Sequence, residues 1–179
     1  MNLPNKLTIL RVCMIPFFVL FMECTVFGGA DKYIAVAIFI AASITDTLDG
    51  KIARKYDLVT NFGKFMDPLA DKLLVCSALI CLVHVIPEWI VIIIISRELI
   101  ISGFRTIAAD NGVVIAASYW GKIKTVCQMI MIIWLIIGLD FSVYHIIGQV
   151  LIYVSLILTI ISLLDYILKN KDILKESNN

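Results

Sequence analysis

Residues 46–71 read DTLDGKIARKYDLVTNFGKFMDPLAD, placing Asp46, Asp49, Asp67 and Asp71 in a chain that is 61% hydrophobic and only 16% charged. On a helix, Asp46 and Asp49 stand at i,i+3 and Asp67 and Asp71 at i,i+4, so each pair projects from one face. Two such helices lying side by side would aim all four carboxylates at one point. An uncompensated acid at membrane depth costs at least ~2.5 to 3.5 kcal/mol on insertion scales, so the cluster predicts bound cations and a functional site.

The flanking sequence supplies the membrane. Apolar stretches centre on residues 12–22, 33–45, 73–87, 89–104, 125–139 and 141–164 of the 179, and the mean hydropathy is +0.99. Each stretch extends to about 20 residues with its flanks, the length that crosses a bilayer. The expectation is an all-α polytopic membrane protein of six transmembrane helices, with a short interfacial helix from Pro4 to Arg11 leading into the first. Residues 1–169 form one transmembrane domain, and 170–179 a polar cytoplasmic tail. The opening segment Met1–Phe27 is read as a retained helix rather than a cleaved signal: Pro16 interrupts its apolar run and no small-x-small site follows. With both termini in the cytoplasm, all of the 15 Lys and Arg except Lys32 fall on or towards that side, as the positive-inside rule requires. The four aspartates then lie near the cytoplasmic face. No run of like charge suggests nucleic acid. The five cysteines show no CxxC spacing and read as packing residues.

Along the second helix, Asp46, Asp49, Gly50 and Ala53 fall at i, i+3, i+4 and i+7, a single stripe of two acids and two small residues. Small residues beside carboxylates leave a groove where a bulky ligand can approach the backbone; close helix packing is the other use of such glycines. Arg54 is placed to meet a phosphate, and Gly63, Asp67 and Asp71 repeat the arrangement at spacings of four. An all-oxygen ligand set selects Mg2+ or Mn2+ over zinc or copper. His84 and His145 stand apart from the cluster in sequence and read as interfacial residues. Four carboxylates have capacity for two ions, and a two-metal site suits displacement at phosphorus.

The pattern Asp46 xx Asp49 Gly50 xx Ala53 Arg54, eight residues, Gly63 xxx Asp67 xxx Asp71 resembles the signature of the CDP-alcohol phosphotransferase family, with every defining position and spacing kept. The resemblance implies six transmembrane helices and a homodimer. It implies that Asp46, Asp49, Asp67 and Asp71 coordinate two divalent metals, that Gly50, Ala53, Arg54 and Gly63 accommodate the CDP moiety, and that Asp71 is the general base. In the family, an acceptor hydroxyl attacks the β-phosphorus of a CDP-linked lipid and CMP leaves. Because a metal-bound carboxylate is a weak base, that role for Asp71 also requires the acceptor hydroxyl to be acidified.

Helix four carries Arg97, Glu98 and Arg105, and the approach to helix five carries Lys122 and Lys124. Converging Arg and Lys suit a phosphate on the acceptor. The plainer reading pairs Arg97 with an acid such as Glu98 and makes the lysines anchors at the lipid surface. Together with the opening Pro4 Asn5 Lys6 Leu7 Thr8 xx Arg11, these residues resemble the bacterial branch of the family that uses CDP-diacylglycerol as donor and glycerol 3-phosphate as acceptor. By that resemblance Asn5, Thr8 and Arg11 contact the donor; Thr8 and Arg11 also suit a role in capping and anchoring the first helix. Other acceptors, inositol phosphate or serine, keep the same chemistry. A divalent-cation transporter is the competing class, and it is opposed by the gathering of charge in the cytoplasmic half, which leaves the outer half little beyond Lys32, Glu88 and Asp140.

Overall fold

The computed structural model describes residues 3–55, 61–110 and 118–169, and the side chains of 5–46, 66–106, 108 and 118–169 among them. Among the described residues six α-helices follow one another: α1 Leu3–Glu23, α2 Asp31–Lys55, α3 Asn61–Cys81, α4 Glu88–Asp110, α5 Tyr119–Ile137 and α6 Ser142–Lys169. Among the described residues there is no strand, and the all-α membrane architecture expected from the sequence is the one observed.

Among the described residues four segments are long and apolar enough to cross a membrane on composition alone: Asn5–Glu23, Gly28–Asp46, Tyr119–Ile137 and Ser142–Lys169. α3 and α4 have the length but carry charge within it, Asp67, Asp71 and Lys72 in one and Arg97, Glu98 and Arg105 in the other. At 1.5 Å per residue the 25 residues of α2 run about 38 Å, longer than a hydrocarbon core of about 30 Å. From Asp46 onward the sequence of α2 reads DTLDGKIARK, with five of ten residues charged, the composition of a helix end at the polar boundary.

One detail differs from expectation. No break separates an interfacial helix 4–11 from the first span, because α1 is continuous over 21 residues with Pro16 inside it. The reason lies in its buried face. Asn5, Thr8, Arg11, Ile15 and Phe18 follow spacings of three and four and are all buried, forming one stripe that is polar in its first half and apolar in its second.

The helices form two compact units. The first holds α1, α2 and α3 with residues 135–138; the second holds α4, most of α5, and α6. In the first, Phe18 of α1 meets Phe39 of α2 with ring centroids 5.9 Å apart. Ala35 and Ala42 of α2 and Ala70 and Ala78 of α3 are fully buried, and such small side chains let membrane helices approach closely. The carboxylate of Asp31, buried at the start of α2, accepts the backbone N–H groups of Val26 and Phe27 at 3.0 and 2.9 Å, fixing the connection and placing negative charge at the helix N-terminus.

In the second unit, Ser118 caps α5 by accepting the N–H of Gly121 at 3.1 Å. At the other end of the unit Trp134 stacks on Tyr144 at 4.2 Å. The indole N–H donates to the Tyr144 carbonyl at 3.2 Å, and the Tyr144 hydroxyl donates to the Trp134 carbonyl. The buried stripe of α6 runs Tyr144, Gly148, Ile152, Ser155, Thr159, Ser162 and Tyr166, so its polar members gather towards the C-terminal half.

Candidate active site

The first unit brings two of the four aspartates onto α1. The Thr8 hydroxyl donates to Oδ1 of Asp67 at 2.5 Å, spanning 59 positions of sequence. One turn further along, the wholly buried Arg11 guanidinium lies 2.7 Å from Oδ1 of Asp46. Asp46 keeps 37% of its side chain exposed, so part of the carboxylate faces outward. Asp67 and Asp71 are likewise half-buried. Pro68 follows Asp67 inside α3, and its carbonyl accepts the Lys72 ammonium at 3.2 Å.

The remaining members of the signature are placed by their backbone alone. Asp49, Gly50, Ala53 and Arg54 are in the last turns of α2 and Gly63 is in the first turn of α3, and their side chains lie outside the described residues. Among the described residues no three His, Cys, Asp or Glu side chains stand close enough to share an ion. The donor chemistry of Asp46, Asp67 and Asp71 nonetheless fits a hard divalent cation, being carboxylate oxygen throughout with part of each side chain open.

Asn5, Thr8 and Arg11, which the resemblance directs towards the donor, are all buried within the first unit. Thr8 and Arg11 face aspartates there. Sequence reasoning missed both pairings. The signal available was the i,i+3 spacing of hydrogen-bonding residues Asn5, Thr8 and Arg11 on a helix that is mostly apolar.

The second unit contains a separate polar network. Arg97 of α4 donates to Glu98 at 3.0 Å and to the Ser162 hydroxyl of α6, while Lys124 of α5 donates to the same Glu98 oxygen. Arg97 and Lys124 are buried. Two cations thus share one carboxylate. A Cβ on Gly121 would lie 3.6 Å from both Arg97 Nη2 and Ser162 Oγ, so the α5 backbone itself walls this network. Arg105 is half-buried beside Tyr166. Lys122 is exposed; two residues from Lys124, it points to a different face of α5. The four predicted acceptor residues therefore divide into a buried pair, a half-buried arginine and an exposed lysine. His145 is exposed, with Asp140 3.4 Å away, and His84 is exposed at the end of the first unit.

Comparison with known proteins places this arrangement in a class. The chain matches the CDP-alcohol phosphatidyltransferase family over residues 1–161, and it belongs to that family. It is 44% identical to the CDP-diacylglycerol–glycerol-3-phosphate 3-phosphatidyltransferase of Bacillus subtilis, across 99% of each chain. It is 42% identical to the protein of the same name from Haemophilus influenzae, over 93% of this chain and 91% of that one. The corresponding Shigella flexneri protein is 38% identical over 93% of both.

Proposed function

We propose that this membrane enzyme transfers the phosphatidyl group of CDP-diacylglycerol to glycerol 3-phosphate, giving phosphatidylglycerol phosphate and CMP. The observation that carries the reading is the intact Asp46–Asp71 signature, with Asp46 and Asp67 gathered onto α1, in a chain that matches relatives of that name nearly end to end.

Asp46, Asp49, Asp67 and Asp71 would hold Mg2+ or Mn2+, two ions for four carboxylates. Bound there, the metal supplies positive charge that offsets the negative charge developing on the phosphoryl oxygens. Gly50, Ala53 and Gly63 leave room for the CDP group, Arg54 pairs with its diphosphate, and Asn5 borders it. The acceptor hydroxyl forms a bond to the β-phosphorus, the bond from that phosphorus to the bridging oxygen breaks, and CMP departs with the electron pair. Asp71 accepts the hydroxyl proton on its carboxylate.

Arg97, Lys124 and Arg105 bind the acceptor phosphate. The convergence of the buried Arg97 and Lys124 on one Glu98 oxygen supports this, because a dianion entering there replaces part of the stabilisation that Glu98 gives the two cations. Lys122, exposed, attracts the anion before it is buried. The enzyme resides in the cytoplasmic membrane with both termini and the reacting groups towards the cytoplasm, and it works as a homodimer.

The test is CMP release by the purified protein with CDP-diacylglycerol and Mg2+, with and without glycerol 3-phosphate. Release that needs both supports the reading. Release with serine or inositol phosphate instead would keep the reaction class and replace the acceptor. Mn2+ flux into proteoliposomes without CMP release would replace catalysis with transport.

A further inference from the structure

We infer that Thr8 and Arg11 are positioning residues of the cation site, which set the orientation of Asp67 and Asp46 from the buried face of α1. The inference rests on the reading of those aspartates as cation ligands.

Both side chains are completely buried and stand three residues apart on α1, so they present adjacent polar groups from one rigid surface. Each engages Oδ1 of a different aspartate on a different helix, at 2.5 and 2.7 Å. The Thr8 hydrogen bond fixes the plane of the Asp67 carboxylate, and the Arg11 ion pair holds Asp46 from the same helix face. An unrestrained aspartate must give up two side-chain torsions when it binds an ion; one already held has less freedom to lose. Partners behind ligating side chains typically tune metal affinity by 10- to 100-fold through this effect.

The two residues differ in charge, and this separates their contributions. Arg11 partly offsets the mutual repulsion of the acids when no ion is bound, but its own positive charge opposes the approach of a cation. Thr8 is neutral, so its effect on binding is one of geometry alone. Valine is close to threonine in shape and lacks the donor, whereas serine keeps the hydroxyl and loses only a methyl group. Arg11→Lys retains the charge but not the planar guanidinium.

The experiment measures Mn2+ binding to the full chain in detergent, from the paramagnetic resonance signal of unbound Mn2+, with no lipid substrate present. Wild type, Thr8→Val, Thr8→Ser, Arg11→Lys and Asp67→Asn are compared, with unfolding followed in chelator to show that each variant is folded. We expect Thr8→Val to weaken Mn2+ binding about tenfold or more, Thr8→Ser to stay near wild type, and Arg11→Lys to weaken binding through misplacement of Asp46. Wild-type affinity in both Thr8→Val and Arg11→Lys overturns the inference while the aspartates remain ligands. A Thr8→Ser variant as weak as Thr8→Val also overturns it, since packing rather than the hydroxyl would then be responsible. Unchanged Mn2+ binding by Asp67→Asn, or none by wild type, removes the cation-ligand reading itself.

Discussion

Arg97 of α4 and Ser162 of α6, 65 positions apart in sequence, are joined by a buried hydrogen bond. An arginine inside a membrane helix thereby has a neutral partner as well as an acid, Glu98, and does not spend all its donors on neutralising charge. That leaves it suited to a second, transient anion.

Weakening this network should affect one substrate selectively. Lys124→Met removes a buried cation whose charge-assisted hydrogen bond is worth about 1.5 to 3 kcal/mol. The expected outcome is a rise of about tenfold or more in KM for glycerol 3-phosphate, with KM for CDP-diacylglycerol near its original value. Steady-state CMP release with each substrate varied in turn measures the split, and equal rises in both would contradict the assignment of the acceptor phosphate to this group.

Removing a single carboxylate should stop turnover without unfolding the protein. Asp67→Asn and Asp71→Asn keep side-chain shape and lose the charge that would bind a cation, so CMP release should fall by at least about a thousandfold, as expected when groups acting as a unit lose one member. Circular dichroism and detergent gel filtration should match wild type. In the same assay a chelator should abolish release, and excess Mg2+ or Mn2+ should restore it.

Loss of Arg11 should act mainly on stability. Arg11→Met takes away a buried guanidinium and leaves the half-exposed Asp46 short of a partner. Breaking a buried pair from one side costs about 3 to 5 kcal/mol; the exposure of Asp46 reduces this to about 2 kcal/mol. Chemical unfolding in detergent should register it, and the double variant Arg11→Met with Asp46→Asn should recover part of the loss.

Tyr144→Phe offers the opposite case. Its hydroxyl donates to the Trp134 carbonyl while its ring stays stacked on the indole, so the substitution should cost about 1 kcal/mol and leave kcat and both KM values unchanged. A marked loss of activity would show that the α5–α6 turn communicates with the reacting groups.

The helices and the aspartates were legible in the sequence for the same reason. Against so apolar a background, long uncharged runs mark spans, and acids at helical spacing stand out as exceptions that need a cause. Partnerships across helices were not legible. Nothing near Thr8 names Asp67, and nothing near Lys124 distinguishes its buried side chain from the exposed one of Lys122. The continuity of α1 was hidden because Arg11 and Pro16 resemble a boundary in a local window. The aspartate on α2 helps make a buried arginine acceptable within that helix.

The pairing of Arg11 with Asp46 also has a consequence for biogenesis. α1 leaves the ribosome before α2, carrying an arginine whose insertion alone is unfavourable by about 2.5 to 3.5 kcal/mol. Its counter-ion belongs to the next helix to be synthesised. α1 and α2 are therefore best released into the bilayer together, as a hairpin held at the translocation channel until both charges are present, and α1 becomes committed to its place only when α2 has arrived.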